Sequence, residues 1–428
     1  MARKVRLDLK NSVVETDPAP EPKTSSRRWL ILSFLLAITV INFIDRQTVS
    51  VLAPLIKQAF HLSNEAYGRI VAAFQFGMMT GELPMGWIMD SWGCRLGLCA
   101  AVCWWSAATG VQAFVRTGTQ LGLTRFWMGT SECGNYSGGV KVTSQYFSVK
   151  ERTLAIGIFN SGPVIGAVVA PPLVVYLAQH FGFRTAFLVP ASLGVIWCLG
   201  WWFVYRDRRE ASAGQAATPQ VPLSVMLRRS STWAVMLCRG LIGPVIQFYW
   251  YWLPSYLYTS QHMSMKEIGE LSWIPFALGG MGGVAGGWSA GWLQKKGITT
   301  PAMRKITMYS SSGLCLASFA VPFIGSAPIS LLMMSVAIFG HNFLSANMYG
   351  AITDLFTEDA VGRATGLSGV AGGLTGLLFP LLTGFLMDHR SYRTVFMIAG
   401  VMPLLGTVAL VVLAKEYRKN ARKPLVVS

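Results

Sequence analysis

The chain has 428 residues, of which 52% are hydrophobic and only 13% charged, and its formal net charge is +17. A soluble protein of this size cannot hide that much apolar surface, which excludes a water-soluble globular fold. In a soluble chain the excess of 36 Lys and Arg over 19 Asp and Glu would point to nucleic acid; here the cations fall between long apolar blocks, which points to the faces of a lipid bilayer.

Residues 1–28 form a polar tail in which Glu15, Asp17 and three prolines precede any long apolar run. That pattern is too polar for a signal peptide and reads as a disordered tail. A spanning helix needs about 20 mostly apolar residues, and twelve such blocks follow. In the first half they lie at 29–57, 66–90, 95–115, 120–145, 153–180 and 184–205. Residues 206–231, rich in Ala, Ser, Gln, Pro and Arg, read as a linker. The second half repeats the pattern at 232–258, 266–293, 303–324, 328–356, 362–387 and 391–414, before a tail at 415–428. The expected fold is therefore an all-α membrane protein with two six-helix bundles, 29–205 and 232–414.

The cations gather in both tails, in the linker, and at Arg95, Lys150, Arg152, Lys295, Lys296, Arg304, Lys305 and Arg363. These positions share one side if the segments alternate direction, and the positive-inside rule makes that side cytoplasmic. Both termini are then cytoplasmic, with Arg390 and Arg393 the one local cluster against the rule. The seven cysteines sit in or beside apolar blocks without metal-ligand spacing and read as packing residues.

The halves echo each other. Leu62, Ser63 and Gly68 recur as Met263, Ser264 and Gly269, and Gly86-Trp87 as Gly287-Trp288, all 201 positions on. Phe147, Pro171, Arg184-Thr185 and Phe187 recur 209 positions on as Phe356, Pro380, Arg393-Thr394 and Phe396. Duplicated six-helix halves related by an axis along the membrane normal are the layout of major facilitator carriers, whose solute site lies near the midplane between them. The 44 glycines suit close helix packing. No Gly-x4-Gly-Lys-Ser/Thr string occurs, so nucleotide-driven transport has no support.

After the second block comes Gly86-Trp-Ile-Met-Asp90-Ser-Trp-Gly93-Cys-Arg95-Leu-Gly97. This string resembles the signature loop of the major facilitator superfamily, in which it tethers helices on the cytoplasmic side; the resemblance implies gating roles for Asp90 and Arg95. Five further stretches carry a narrower likeness. They are Asn42-Phe-Ile-Asp45-Arg46; Arg125 through Ser131-Glu132-Cys-Gly-Asn135-Tyr136 to Lys141; Glu151-Arg152 through Asn160; Tyr249 through Trp252-Leu-Pro254-Ser-Tyr256-Leu257; and Ser345-Ala-Asn347 through Asp354 to Gly362. With them the chain resembles the anion:cation symporter family, specifically bacterial hexuronate and galactonate carriers. It departs from that pattern at Ser131, Cys133 and Ser137, and at Gly243 and Gln247, where an acid and an aromatic are common in the family.

Charge inside the membrane has its own physics. An Asp or Arg at mid-helix costs roughly 2.5–3.5 kcal/mol on insertion, so it faces a cavity or a partner. Asp45 and Arg46 lie past the middle of the first block and point about 100° apart, with Asn42 one turn before both. Arg125 and Glu132 are seven apart and share a helix face, which Asn135 and Tyr136 extend. A carboxyl held away from water is a candidate proton acceptor, whereas an arginine beside it opposes protonation. Arginine offers a planar fork to a carboxylate. The competing reading is a purely structural ion-pair network.

The resemblance implies Asp45 and Glu132 as proton-coupling residues, Arg46 as the anchor for the substrate carboxylate and Arg125 as the residue that tunes Glu132. The function it implies is import of a small organic anion, such as a hexuronate or aldonate, by proton symport across the bacterial inner membrane, through alternating access in a monomer. Further candidates for contact with substrate are Asn160, Gln247, Tyr249, Tyr251 and Asn347, with interface anchoring or packing as the alternative for each. His341 reads as a satisfied core histidine, and Glu82, inside the second block, has no evident partner. Other carboxylates, sodium coupling, uniport and a transporter-like sensor stay open. No catalytic constellation, metal site or cofactor motif occurs, so the chain is expected not to be an enzyme, with the proton as its coupling ion.

Overall fold

A computed structural model describes residues 26–207, 222–389, 391–414 and 417, and among them the regular structure is helical throughout. The N-terminal half contains α1 (Arg27–Val51), α2 (Ala53–Ala59), α3 (Asn64–Ser91), α4 (Gly93–Gln112), α5 (Gly118–Tyr146), α6 (Val149–Asn160), α7 (Gly162–Phe181) and α8 (Thr185–Val204). The chain continues with α9 (Leu223–Leu227), α10 (Ser230–Thr259), α11 (Met265–Leu271), α12 (Ile274–Lys295), α13 (Thr300–Cys315), α14 (Ala327–Leu355), α15 (Glu358–His389) and α16 (Tyr392–Leu413).

Among the described residues, eight helical stretches are long and apolar enough to cross a membrane. Helices α3, α5, α10 and α12, with 28, 29, 30 and 22 residues, have the length but dilute their apolar runs with charges, polar side chains and glycines. The expected twelve spans rest on these four as well, and the dilution has a reason: α5 carries Arg125 and Glu132.

Three expected spans are broken where proline enters. Pro54, Pro163 and Pro275 occupy the first turns of α2, α7 and α12, because proline lacks the N–H that a helix interior needs and is tolerated where that donor is unpaired anyway. The ninth span ends in two 3-10 turns, Leu316–Phe319 and Val321–Phe323. In the expected linker, residues 208–221 lie outside the described residues, but α9 makes the remainder partly helical. The expected tails lie outside as well, apart from Ser26 onward, where α1 begins at Arg27, and Tyr417.

The sequence echo has a structural counterpart. His61 and His262, again 201 positions apart, adopt φ of +50° and +54°. Two residues later Ser63 and Ser264 each cap the next helix by accepting a hydrogen bond from a backbone N–H in its first turn.

The halves meet at one end and part at the other. Asp388, closing α15, accepts hydrogen bonds from the backbone N–H of Asn64 at 3.0 Å and of Glu65 at 2.8 Å, and from Asn64 Nδ2 at 2.8 Å. A carboxylate at a helix N-terminus is favoured by the dipole as well as by these donors. Nearby, Ser50 Oγ donates to the Trp250 carbonyl and Tyr67 Oη to the Tyr251 carbonyl at 3.1 Å. Phe43 packs edge-on to Trp250, and Tyr67 edge-on to Trp252. At the opposite end, where α1 begins, three ion pairs among the described residues each lie within a half. Arg28 pairs with Glu151 and Asp90 with Lys141, each at 2.7 Å, and Arg304 with Asp354 at 2.6 Å. A methyl added at Gly366 or Gly369 of α15 would meet nothing within 4 Å, whereas one at Gly373 would lie 3.6 Å from Met79 of α3.

Candidate functional site

Helices α1 and α5 bring four expected residues into the interior. The Arg46 guanidinium donates to Glu132 Oε2 through Nη2 at 2.7 Å and Nε at 3.1 Å. It also lies 5.4 Å from the Phe43 ring centre and 5.1 Å from that of Phe74. The aromatic faces hold the cation by their quadrupoles, and the Glu132 side chain is fully shielded from solvent. Removing one member of such a buried pair strands the other charge, at a cost of about 3–5 kcal/mol.

Arg125 lies two turns before Glu132 on α5, as the spacing expects. It is fully buried over the Phe74 ring, 4.5 Å from its centre, and its one hydrogen bond runs from Nη1 to Met128 Sδ at 3.5 Å. The spacing of seven positions between Arg125 and Glu132 aligns their faces but separates them by about 10 Å along α5. Arg46, arriving from α1, therefore takes the carboxylate.

Several polar atoms here are buried without a hydrogen-bond partner in the protein. They include both carboxylate oxygens of Asp45, Oε1 of Glu132, Nε and Nη2 of Arg125, Nδ2 of Asn42 and Oδ1 of Asn135. Asn135 Nδ2 donates to Thr39 Oγ1 at 3.1 Å. Buried polar groups are paired in the great majority of cases, and this cluster of both signs keeps hydrogen-bonding capacity for water or a solute.

The C-terminal half contributes through α10. Gln75 of α3 donates to Gln247 Oε1 at 3.1 Å and to Tyr251 Oη at 3.4 Å, which brings both expected residues to the position on α3 next to Phe74, whose ring lies near Arg46. Tyr249 and Asn347 are corrections. Tyr249 is two positions from Gln247, so it turns inward, where its hydroxyl shares a hydrogen bond with Ser318 Oγ at 2.5 Å. Asn347 is buried and fully engaged. Its Nδ2 donates to the Gly286 and Phe343 carbonyls, and its Oδ1 accepts from Arg304 at 3.1 Å. Asn160 ends α6 and is exposed, as is Tyr136 of α5. His341 sits between the Ile242 carbonyl and Asn342 Oδ1.

Asp90 and Arg95 both tether helices, with separate partners. Lys141 of α5 donates to Asp90 Oδ1 at 2.7 Å and to the Met89 carbonyl at 3.1 Å. Arg95 reaches the Trp202 carbonyl and stacks 4.2 Å from the Trp202 ring centre. The backbone N–H groups of Cys94 and Arg95 donate to Asp207, which completes the link from α4 to the end of α8. Glu82 is exposed and shares the face of Gln75, seven residues earlier. Sequence reasoning missed Gln75, the Asp388 clasp and Arg239. A lone amide or cation inside an apolar block was the available signal for the first and last, whereas the clasp joins residues 324 positions apart.

Comparison with known proteins places this geometry. The Major Facilitator Superfamily model matches residues 35–345 and 304–427. The chain is 26% identical over 406 residues to the hexuronate transporter of Escherichia coli (strain K12), covering 91% of this chain and 94% of that one. It is 28% identical over 412 residues to a probable L-galactonate transporter of the same organism, covering 92% and 90%. It is also 26% identical over 437 residues to a probable galactarate/D-glucarate transporter of Bacillus subtilis (strain 168), covering 93% and 96%. Among solved structures, a D-xylose-proton symporter superimposes with a TM-score of 0.76 at 14% identity, covering 94% of this chain and all of that one. A bacterial homolog of the human lysosomal transporter Spinster, inward-facing and unoccupied, gives 0.73 at 17%, covering 92% and 97%.

Proposed function

We propose that this chain, which belongs to the Major Facilitator Superfamily and is a transporter rather than an enzyme, imports a sugar acid together with a proton. The observation that carries the reading is the Arg46–Glu132 pair set among unpaired buried polar atoms. Arg46 has one planar fork, and in this conformation Glu132 occupies it. A substrate carboxylate competes with Glu132 for the same fork, and a proton on Glu132 releases it. Proton and anion thus favour the same state of the site, which is the thermodynamic requirement for symport. Asp45 supplies a second acceptor: it is buried on α1 and makes no ion pair among the described residues.

The distribution of cations supports a cytoplasmic position for both termini. The clasped end at Asp388 is then the outer face, and this conformation opens inward. The bacterial relatives and the apolar helices support the inner membrane as its location. Names of relatives that carry hexuronate, galactonate and galactarate or glucarate support a polyhydroxylated acid as substrate.

Binding tests this directly. Hexuronates and aldonates are expected to raise the Tm of the detergent-purified protein, while the corresponding neutral sugars leave it unmoved. An equal response to neutral sugars would exclude a carboxylate-centred site.

A further inference from the structure

Arg239 is the charged residue that the site leaves unused. It lies on α10, nine residues past Ser230 and so about 14 Å into a helix that must sit in the membrane. Its side chain is half-buried, and among the described residues it has no acidic partner and no hydrogen bond. What holds it is the ring of Tyr349 on α14, 5.4 Å from its guanidinium carbon, and the backbone of α15. A methyl at Gly372 would lie 3.3 Å from the Arg239 stem, and one at Gly243 would lie 3.9 Å from Nη1. Gly372 therefore leaves room for the side chain, whereas a methyl at Gly243 would make only an ordinary contact with it. The guanidinium is turned along α10 toward Gly243, and one turn farther stands Gln247, bonded to Gln75.

A cation in a spanning helix calls for an anion. The position four residues on, from which a carboxylate on the same helix face would neutralise it, holds Gly243. The charge is therefore left over. The level of Gln247 lies about 12 Å along the axis from Arg239, and the arginine side chain extends toward it as far as Gly243.

We infer that Arg239 is a second anion-binding point and that the preferred substrate is a sugar diacid, with one carboxylate on Arg46 and the other on Arg239. This rests on the sugar-acid reading above and deepens it.

The test is initial uptake by the purified full chain in proteoliposomes, comparing an aldarate with the aldonate of equal chain length. Wild type is expected to favour the aldarate. Arg239→Gln and Gly243→Asp are each expected to lower the aldarate-to-aldonate ratio about tenfold, the scale of one charge-assisted hydrogen bond. Arg239→Lys retains part of the preference. Gly243→Asp leaves the arginine in place, so the result does not hang on how Arg239→Gln folds. Absence of an aldarate preference in wild type, or an equal loss of both acids in the variants, overturns the inference and leaves the sugar-acid reading standing. Uptake of neither acid by wild type would remove both.

Discussion

Arg46→Lys is expected to reduce sugar-acid uptake about a hundredfold, although the positive charge is retained. In the structure Arg46 delivers two nitrogens, Nη2 and Nε, to one carboxylate oxygen while its guanidinium carbon lies 5.4 Å from the Phe43 ring centre and 5.1 Å from that of Phe74. An ammonium is a point charge that presents no planar fork and fits the aromatic slot less well. Losing one well-placed charge-assisted bond to the substrate costs about 1.5–3 kcal/mol, which corresponds to roughly ten- to hundredfold in affinity. The loss of stacking moves the effect to the upper end. Initial uptake rates in proteoliposomes measure it, with Arg46→Gln as the more severe comparison. A lysine variant with wild-type uptake would mean that Arg46 serves only to neutralise Glu132.

The second large effect belongs to Glu132→Gln. Glutamine cannot be deprotonated, so Arg46 is free for the anion at every pH. Substrate binding is expected to persist and to lose its dependence on pH, and exchange of external for internal substrate continues. Accumulation driven by a pH gradient falls sharply, because the proton that Glu132 carries no longer moves with the cargo and only Asp45 is left to couple. Asp45→Asn differs in one respect: it keeps the Arg46–Glu132 pair and therefore keeps the pH dependence of binding that the pair generates. Binding titrations at several pH values separate the two variants. A pH profile unchanged in Glu132→Gln would place the coupling proton elsewhere.

Span positions were legible because the bilayer imposes one simple demand on the chain, a long apolar helix. Most block edges fall within a few residues of the helix ends, as with 120–145 against Gly118–Tyr146 and 184–205 against Thr185–Val204. The breaks at Pro54, Pro163 and Pro275 went unread, since hydropathy counts proline in an apolar run as part of the run. Asp45, Arg46, Arg125 and Glu132 stood out because charge is rare in such helices. Their pairing was less legible. Periodicity aligns Arg125 with Glu132 on one helix, but only the approach of α1 to α5 decides that Arg46 makes the bond. Tyr249 and Asn347 show the same limit: residue type suggested contact with a solute, and their orientation within the bundle turned them to Ser318 and Arg304.

The most direct test of proton-coupled sugar-acid transport is uptake of a labelled sugar acid into proteoliposomes under an inside-alkaline pH gradient. The expected result is accumulation above the external concentration that collapses when a protonophore is added. Equilibration to the external concentration, indifferent to the gradient and to the protonophore, would contradict the account.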